Sequence, residues 1–77
     1  MPFEPDQVDE INVLLRYNLD TAQGGIKVHS NAEREIISAT ERLHDKGLIT
    51  LRDGGYLTSL GREASEHAQA ALNILSS

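Results

Sequence analysis

Ser30 to Thr58 reads SNAEREIISATERLHDKGLITLRDGGYLT, and this stretch decides the fold. Ser30 and Glu33 have the spacing of a capping box, in which each side chain accepts from the other's free backbone N–H at a helix start. Ile36, Ile37, Thr40, Leu43, His44 and Gly47 then share one side at a 3.6-residue period, which predicts an amphipathic helix over 31–46. Gly47 stands where a left-handed C′ residue closes a helix in a Schellman motif, with Leu48 folding back on Leu43. Ile49 and Leu51 alternate with Thr50 and Arg52, which is strand periodicity. Asp53-Gly54-Gly55 tolerates the positive φ of a tight reversal into Tyr56-Leu57-Thr58. Helix, short strand, glycine turn and short strand make the back half of a winged helix.

Upstream, Asp6 is the expected N-cap of a first helix, with Asp9 and Glu10 in its first turn, where acids favour the positive end of the helix dipole. Val8, Ile11, Leu14, Leu15 and Leu19 form its expected buried stripe, Asn18 and Asp20 mark its end, and Phe3 is placed to dock on the core. Gly24-Gly25 break any helix begun at Asp20. Ile26-Lys27-Val28 then predicts a short strand pairing with the hairpin as its third member. That leaves Asp20 to Gln23 for the first helix of a helix-turn-helix, which is therefore abbreviated or replaced by a loop. Downstream, Leu60, Ala64, His67, Ala68, Ala71, Leu72 and Leu75 keep the helical period from Thr58 or Ser59 to the end. The fold class expected is mainly α with a small three-stranded sheet, a single winged-helix domain over residues 1–77.

Composition narrows the function. With 77 residues and no cysteine, neither disulfides nor thiolate metal sites contribute. No apolar run approaches the roughly 18 residues of a membrane span, and no signal peptide opens the chain, so a cytoplasmic protein is expected. His29, His44 and His67 match no zinc spacing, and His44 and His67 are expected as structural residues at core edges. No nucleophile elbow, Ser-x-x-Lys pair or phosphate loop is present, so no enzyme, cofactor or metal is expected. The three aromatic residues, Phe3, Tyr17 and Tyr56, are too few for base stacking along a single strand. Net charge is −5, divided as −4 over residues 1–20, +1 over 21–62 and −2 over 63–77. The acidity lies in the flanks and the central unit is near neutral, which permits nucleic-acid contact without favouring it.

Phasing the helix on Ile36, Thr40 and Leu43 turns Asn31, Arg34, Ser38, Arg42 and Asp45 outward. Asn, Arg and Ser at that spacing suit base edges and phosphates of a major groove. They equally suit an ordinary solvated face with pairs such as Arg42 and Asp45, and Glu35, Glu41 and Asp45 would repel phosphate. Arg52 at the hairpin tip can reach a minor groove or a flanking phosphate.

Leu43, Lys46-Gly47-Leu48-Ile49, Leu57-Thr58 and Gly61-Arg62 together resemble the helix end, wing and following helix of winged helix-turn-helix regulators of the MarR and PadR type. Over its whole length the chain is also similar to a family of short, uncharacterised gammaproteobacterial proteins labelled DNA-binding. The resemblance implies a transcriptional regulator or accessory factor that binds duplex DNA through helix 31–46 and the 48–58 wing. Arg34, Ser38, Arg42, Lys46 and Arg52 would be the DNA-binding residues, and a homodimer would form through the C-terminal helix. The alternative on the same fold is a protein–protein adaptor that does not bind DNA.

Overall fold

In the computed structural model, which describes residues 2–20 and 24–77, the elements follow the order α1 (Pro5–Leu14), β1 (Ile26–Lys27), α2 (Arg34–Asp45), β2 (Ile49–Leu51), β3 (Gly54–Leu57) and α3 (Ser59–Leu75). The strands form one antiparallel sheet in the order β1-β3-β2, so the strand before α2 does pair with the hairpin as its third member. Three helices and a small three-stranded sheet give a winged-helix-like layout, with one helix between β1 and β2 among the described residues. The proposed abbreviated helix at Asp20 to Gln23 falls largely outside the described residues.

Two helix starts differ from expectation. The Ala32 N–H donates to the His29 carbonyl at 3.0 Å, so Ser30 and Asn31 lie in a turn and α2 begins only at Arg34. Glu33 becomes the N-cap, and the Ser30–Glu33 capping box does not form. α1 starts one turn-entry earlier than Asp6: Glu4 is its N-cap, Pro5 occupies the first helical position, and the Gln7 side chain accepts from the Glu4 N–H at 2.9 Å. Proline fits there because the N–H it lacks has no helical partner at that position.

The end of α2 follows the sequence closely. Gly47 has φ +83°, its N–H donates to His44 at 3.0 Å, and Leu48 donates to Leu43 at 2.9 Å. These are the two bonds of a Schellman cap, and they fold Leu48 onto the core. The hairpin reverses at Arg52-Asp53. Gly54 and Gly55, with φ +132° and +70°, already belong to β3. Ile49 pairs with Leu57 but Leu51 with Gly54, so β3 carries one extra residue, a β-bulge. The Tyr56 N–H is taken by Thr50 Oγ1 at 2.9 Å instead of by a ladder partner. The bulge carries the tip off the core: Leu51, expected inside, is 54% exposed and lies over Gly55.

The core is Val13, Leu14 and Tyr17 from the first helix and the turn after it, Ala39 and Leu43 from α2, and Ile49 from β2. Thr40 is buried with them and satisfies its hydroxyl by donating to the Ile36 carbonyl at 2.7 Å. α1 is therefore rotated from the expected phase. Glu10, Val13, Leu14 and Tyr17, an i, i+3, i+4, i+7 series, face inward, while Val8 is 45% and Phe3 68% exposed. Polarity misleads here, because Glu10 is an acid whose neutralising partners lie 32 and 36 residues away.

Candidate functional site

Three surfaces can carry function, and the first is the α2–hairpin face. The buried side of α2 centres on Ala39, Thr40 and Leu43, and that rotation moves Arg42 from the outer face to the flank packed on α1. Arg42 Nε donates to Glu10 Oε2 at 3.0 Å and its terminal nitrogen donates to the Asp6 carbonyl at 3.2 Å. Lys46 Nζ donates to the other Glu10 oxygen. Burial alone would raise the Glu10 pKa, but the hydrogen bonds and charges of Lys46 and Arg42 outweigh it and hold the carboxyl below its usual range. At the hairpin tip, Arg52 donates to Asp45 at 3.3 Å and lies 3.7 Å from Glu41. The expected Arg42–Asp45 pair is thus replaced by two pairings between different elements.

Of the five residues expected to bind DNA, Arg42, Lys46 and Arg52 are held by carboxylates of the same chain. Ser38 is half-buried and Arg34 is exposed. Together with Arg42 they line a shallow groove of about 210 Å³ between α1 and α2, beside Asp6, Asp9 and Glu35. Among the described residues Arg34 enters no ion pair, whereas Glu35 and Asp53 likewise stand exposed and unpaired. Arg34, Ser38 and Arg42 thus share one groove, in which Asp6, Asp9 and Glu35 stand against the two cations, and Lys46 and Arg52 are not among its lining residues.

A second surface is the cleft of about 650 Å³ between α2 and the hairpin. Its floor is Val28, Ile37 and Thr40, and its rim carries Lys27 and Arg52 against Glu41 and Asp53. The opposed charges cancel, so the rim selects neither an anion nor a cation. Among the described residues no group of three or more His, Asp or Glu is placed to hold a metal ion.

The third surface is apolar. A groove of about 550 Å³ runs between α1 and α3, walled by Ile11 and Leu15 on one side and Ala64, Ala68, Leu72 and Leu75 on the other. Phe3 also lines it, and Asn12 and His67 are its polar lining residues. His67 is exposed at this groove instead of sealing a core edge; His44 is half-buried on α2 as expected of a core-edge residue. From Ala70 onward every residue of α3 is exposed, including Leu72 at 43%, Ile74 at 74% and Leu75 at 83%. The apolar stripe on α3 is visible in the sequence. Its opposite wall is not, because Ile11 and Leu15 read in the sequence as part of the buried stripe of the first helix.

The motif residues that carry the family resemblance have structural work of their own. Thr58 Oγ1 donates to the Gly47 carbonyl at 2.7 Å and accepts from the Gly61 N–H at 3.1 Å, tying the end of α2 to the start of α3. A Cβ on Gly61 would stand 1.8 Å from the Leu48 carbonyl oxygen, so only glycine fits. Arg62 donates to the Leu19 carbonyl at 3.2 Å. These contacts account for Leu-Thr and Gly-Arg as joints of the fold.

Among known proteins, a model described as a family of unknown function (DUF5669) matches residues 1–76. No curated protein and no solved structure matches the chain.

Proposed function

We propose that the chain, which belongs to the family of unknown function DUF5669, is a small protein–protein interaction module. It would work through the apolar face of α1 and α3 and carry no catalytic chemistry of its own. The observation that carries this is an asymmetry between surfaces. Arg42, Lys46 and Arg52 already have carboxylate partners, while Ile74 and Leu75 stand largely in water and Leu72 is 43% exposed. Burying such a side chain contributes about 1.5–3 kcal/mol. Engaging Arg42 with phosphate instead means breaking its bond to a buried glutamate. Contiguous apolar surface on a small domain marks interaction sites more often than chance exposure does.

A second function, duplex-DNA binding by a transcriptional regulator, is favoured by the winged-helix-like layout and by Arg34 and Arg52 at exposed positions on α2 and the hairpin tip. One titration separates the two. Mixed-sequence duplex DNA is added at about 50 mM and about 200 mM salt, the range over which phosphate contacts weaken steeply. The interaction module is expected to show no binding at the lower salt. A DNA-binding protomer using Arg34, Arg42, Lys46 and Arg52 would bind with a log–log salt slope of roughly −3 to −4. If that slope is found, and Arg52→Ala lowers it by about one, the regulator replaces the interaction module.

A further inference from the structure

We propose that the cleft between α2 and the hairpin binds a short apolar peptide with free ends, a dipolar ligand of dipeptide size. The cleft shares no lining residue with the α1–α3 groove, and the proposal goes beyond the interaction-module function without resting on it.

Size and floor come first. The cleft holds about 650 Å³, inside the range of about 300–1,000 Å³ usual for small-molecule sites. Its floor suits an apolar group. Val28 is 7% exposed, and Thr40 commits its only hydroxyl proton to the Ile36 carbonyl. Leu51 lines the same cleft, and the β-bulge is what leaves it there, out of the core and 54% exposed. Bulges recur beside binding and catalytic sites, where they re-aim a side chain. A ligand side chain laid against Leu51 and Ile37 recovers the burial that the bulge forgoes.

Charge then selects the ligand. The rim carries two cations and two acids. Arg52 and Glu41 are 3.7 Å apart, and Arg52 also bonds Asp45. Lys27 and Asp53 enter no ion pair among the described residues. The backbone holds these two side by side: Lys27 is the partner of Gly54, and the Val28 N–H donates to the Asp53 carbonyl at 2.7 Å. One cation and one anion at the same rim fit a ligand with a carboxylate and an ammonium. The ends of an extended dipeptide stand at most about 7 Å apart, a span that side chains on strands about 4.8 Å apart can bracket. A polyanion is selected against, because it meets Glu41 and Asp53 on a chain of net charge −5.

The test is a titration of leucyl-leucine into the isotope-labelled chain, followed by amide chemical shifts up to about 10 mM ligand. Saturating shifts are expected at Val28, Ile37 and Leu51, with a Kd on the order of 1 mM or below. Acetylating the amine or amidating the carboxylate should each weaken binding roughly two- to fivefold, the range of an exposed ion pair. Lys27→Gln should weaken the parent dipeptide to the same extent and leave the amidated form unchanged. Asp53→Asn should do the same for the parent and spare the acetylated form. Both side chains are exposed, and Asn keeps the turn, so both variants should fold as the wild type does. The proposal is overturned by the absence of saturable shifts, by shifts centred on Ile11, Leu15 and Leu72, or by capped dipeptides that bind as tightly as the parent.

Discussion

Glu10 and Arg42 are 32 residues apart in sequence, and their side chains meet at 3.0 Å, with Lys46 on the other oxygen of the same carboxylate. This junction fastens α1 to α2 and holds two cations that would otherwise face solvent. Glu10→Gln should cost about 1–3 kcal/mol, the range for removing one partner of a charged hydrogen bond. The cost stays below that of a fully buried pair because the Arg42 and Lys46 side chains are 31% and 50% exposed. The pH dependence has a definite sign. Glu10 is held below its ordinary value of 4.5 when folded, so its contribution is complete above that value and is lost as pH falls through the depressed one. Urea unfolding at pH 7 and pH 3 should show the gap between wild type and Glu10→Gln shrinking at the lower pH.

Leu43 is 1% exposed at the centre of the core, whereas Val8 is 45% exposed. Leu43→Ala should destabilise by about 2–5 kcal/mol, a large share of what a domain of this size possesses. Val8→Ala should change stability by about 0.5 kcal/mol or less, as ordinary surface substitutions do. Equal losses in chemical denaturation would mean that α1 is rotated toward the phase its apolar residues suggest.

Two glycines should respond to alanine in different ways. A Cβ on Gly47 meets nothing within 4 Å, so the penalty is that of the left-handed backbone alone, about 1–2 kcal/mol. At Gly61 the same Cβ would overlap the Leu48 carbonyl oxygen, and α3 would have to move away from the β2 entry. Gly61→Ala should therefore cost more than Gly47→Ala, at or beyond the 1–3 kcal/mol typical of overpacking. Thermal melts of the two variants side by side check the order.

Tyr17 is 4% exposed and its hydroxyl has no hydrogen-bond partner among the described residues. Burial pushes its pKa up to about 12. Because the folded value is the higher one, stability is complete below the ordinary value of 10.0 and is lost as pH rises toward about 12. Tyr17→Phe removes an unsatisfied buried oxygen. It should leave neutral-pH stability unchanged or raise it by up to about 1–2 kcal/mol, and it should remove this part of the alkaline loss. Ultraviolet titration of a Tyr56→Phe variant, in which Tyr17 is the remaining phenol, should show ionisation at a pH of about 12.

The sequence by itself determined the features whose causes lie within a few residues. The Schellman close at Gly47, the hairpin near Asp53-Gly54-Gly55, the Thr58 start of α3 and the strand at Ile26 all depend on local torsion preferences and local hydrogen bonds. Leu43 was legible as core because a capped amphipathic helix has one apolar centre. The tertiary structure alone decided the rotation of α1, the exposure of Leu51 at a bulged tip, and which acids hold Arg42, Lys46 and Arg52. Each of those depends on a partner in another element. An acid such as Glu10 reads as a surface residue until its two cations arrive from α2, and a cation such as Arg42 reads as available until its carboxylate arrives from α1. Long-range charge pairing carries no local periodicity, so Arg42, Lys46 and Arg52 read as free in the chain and have carboxylate partners in the fold.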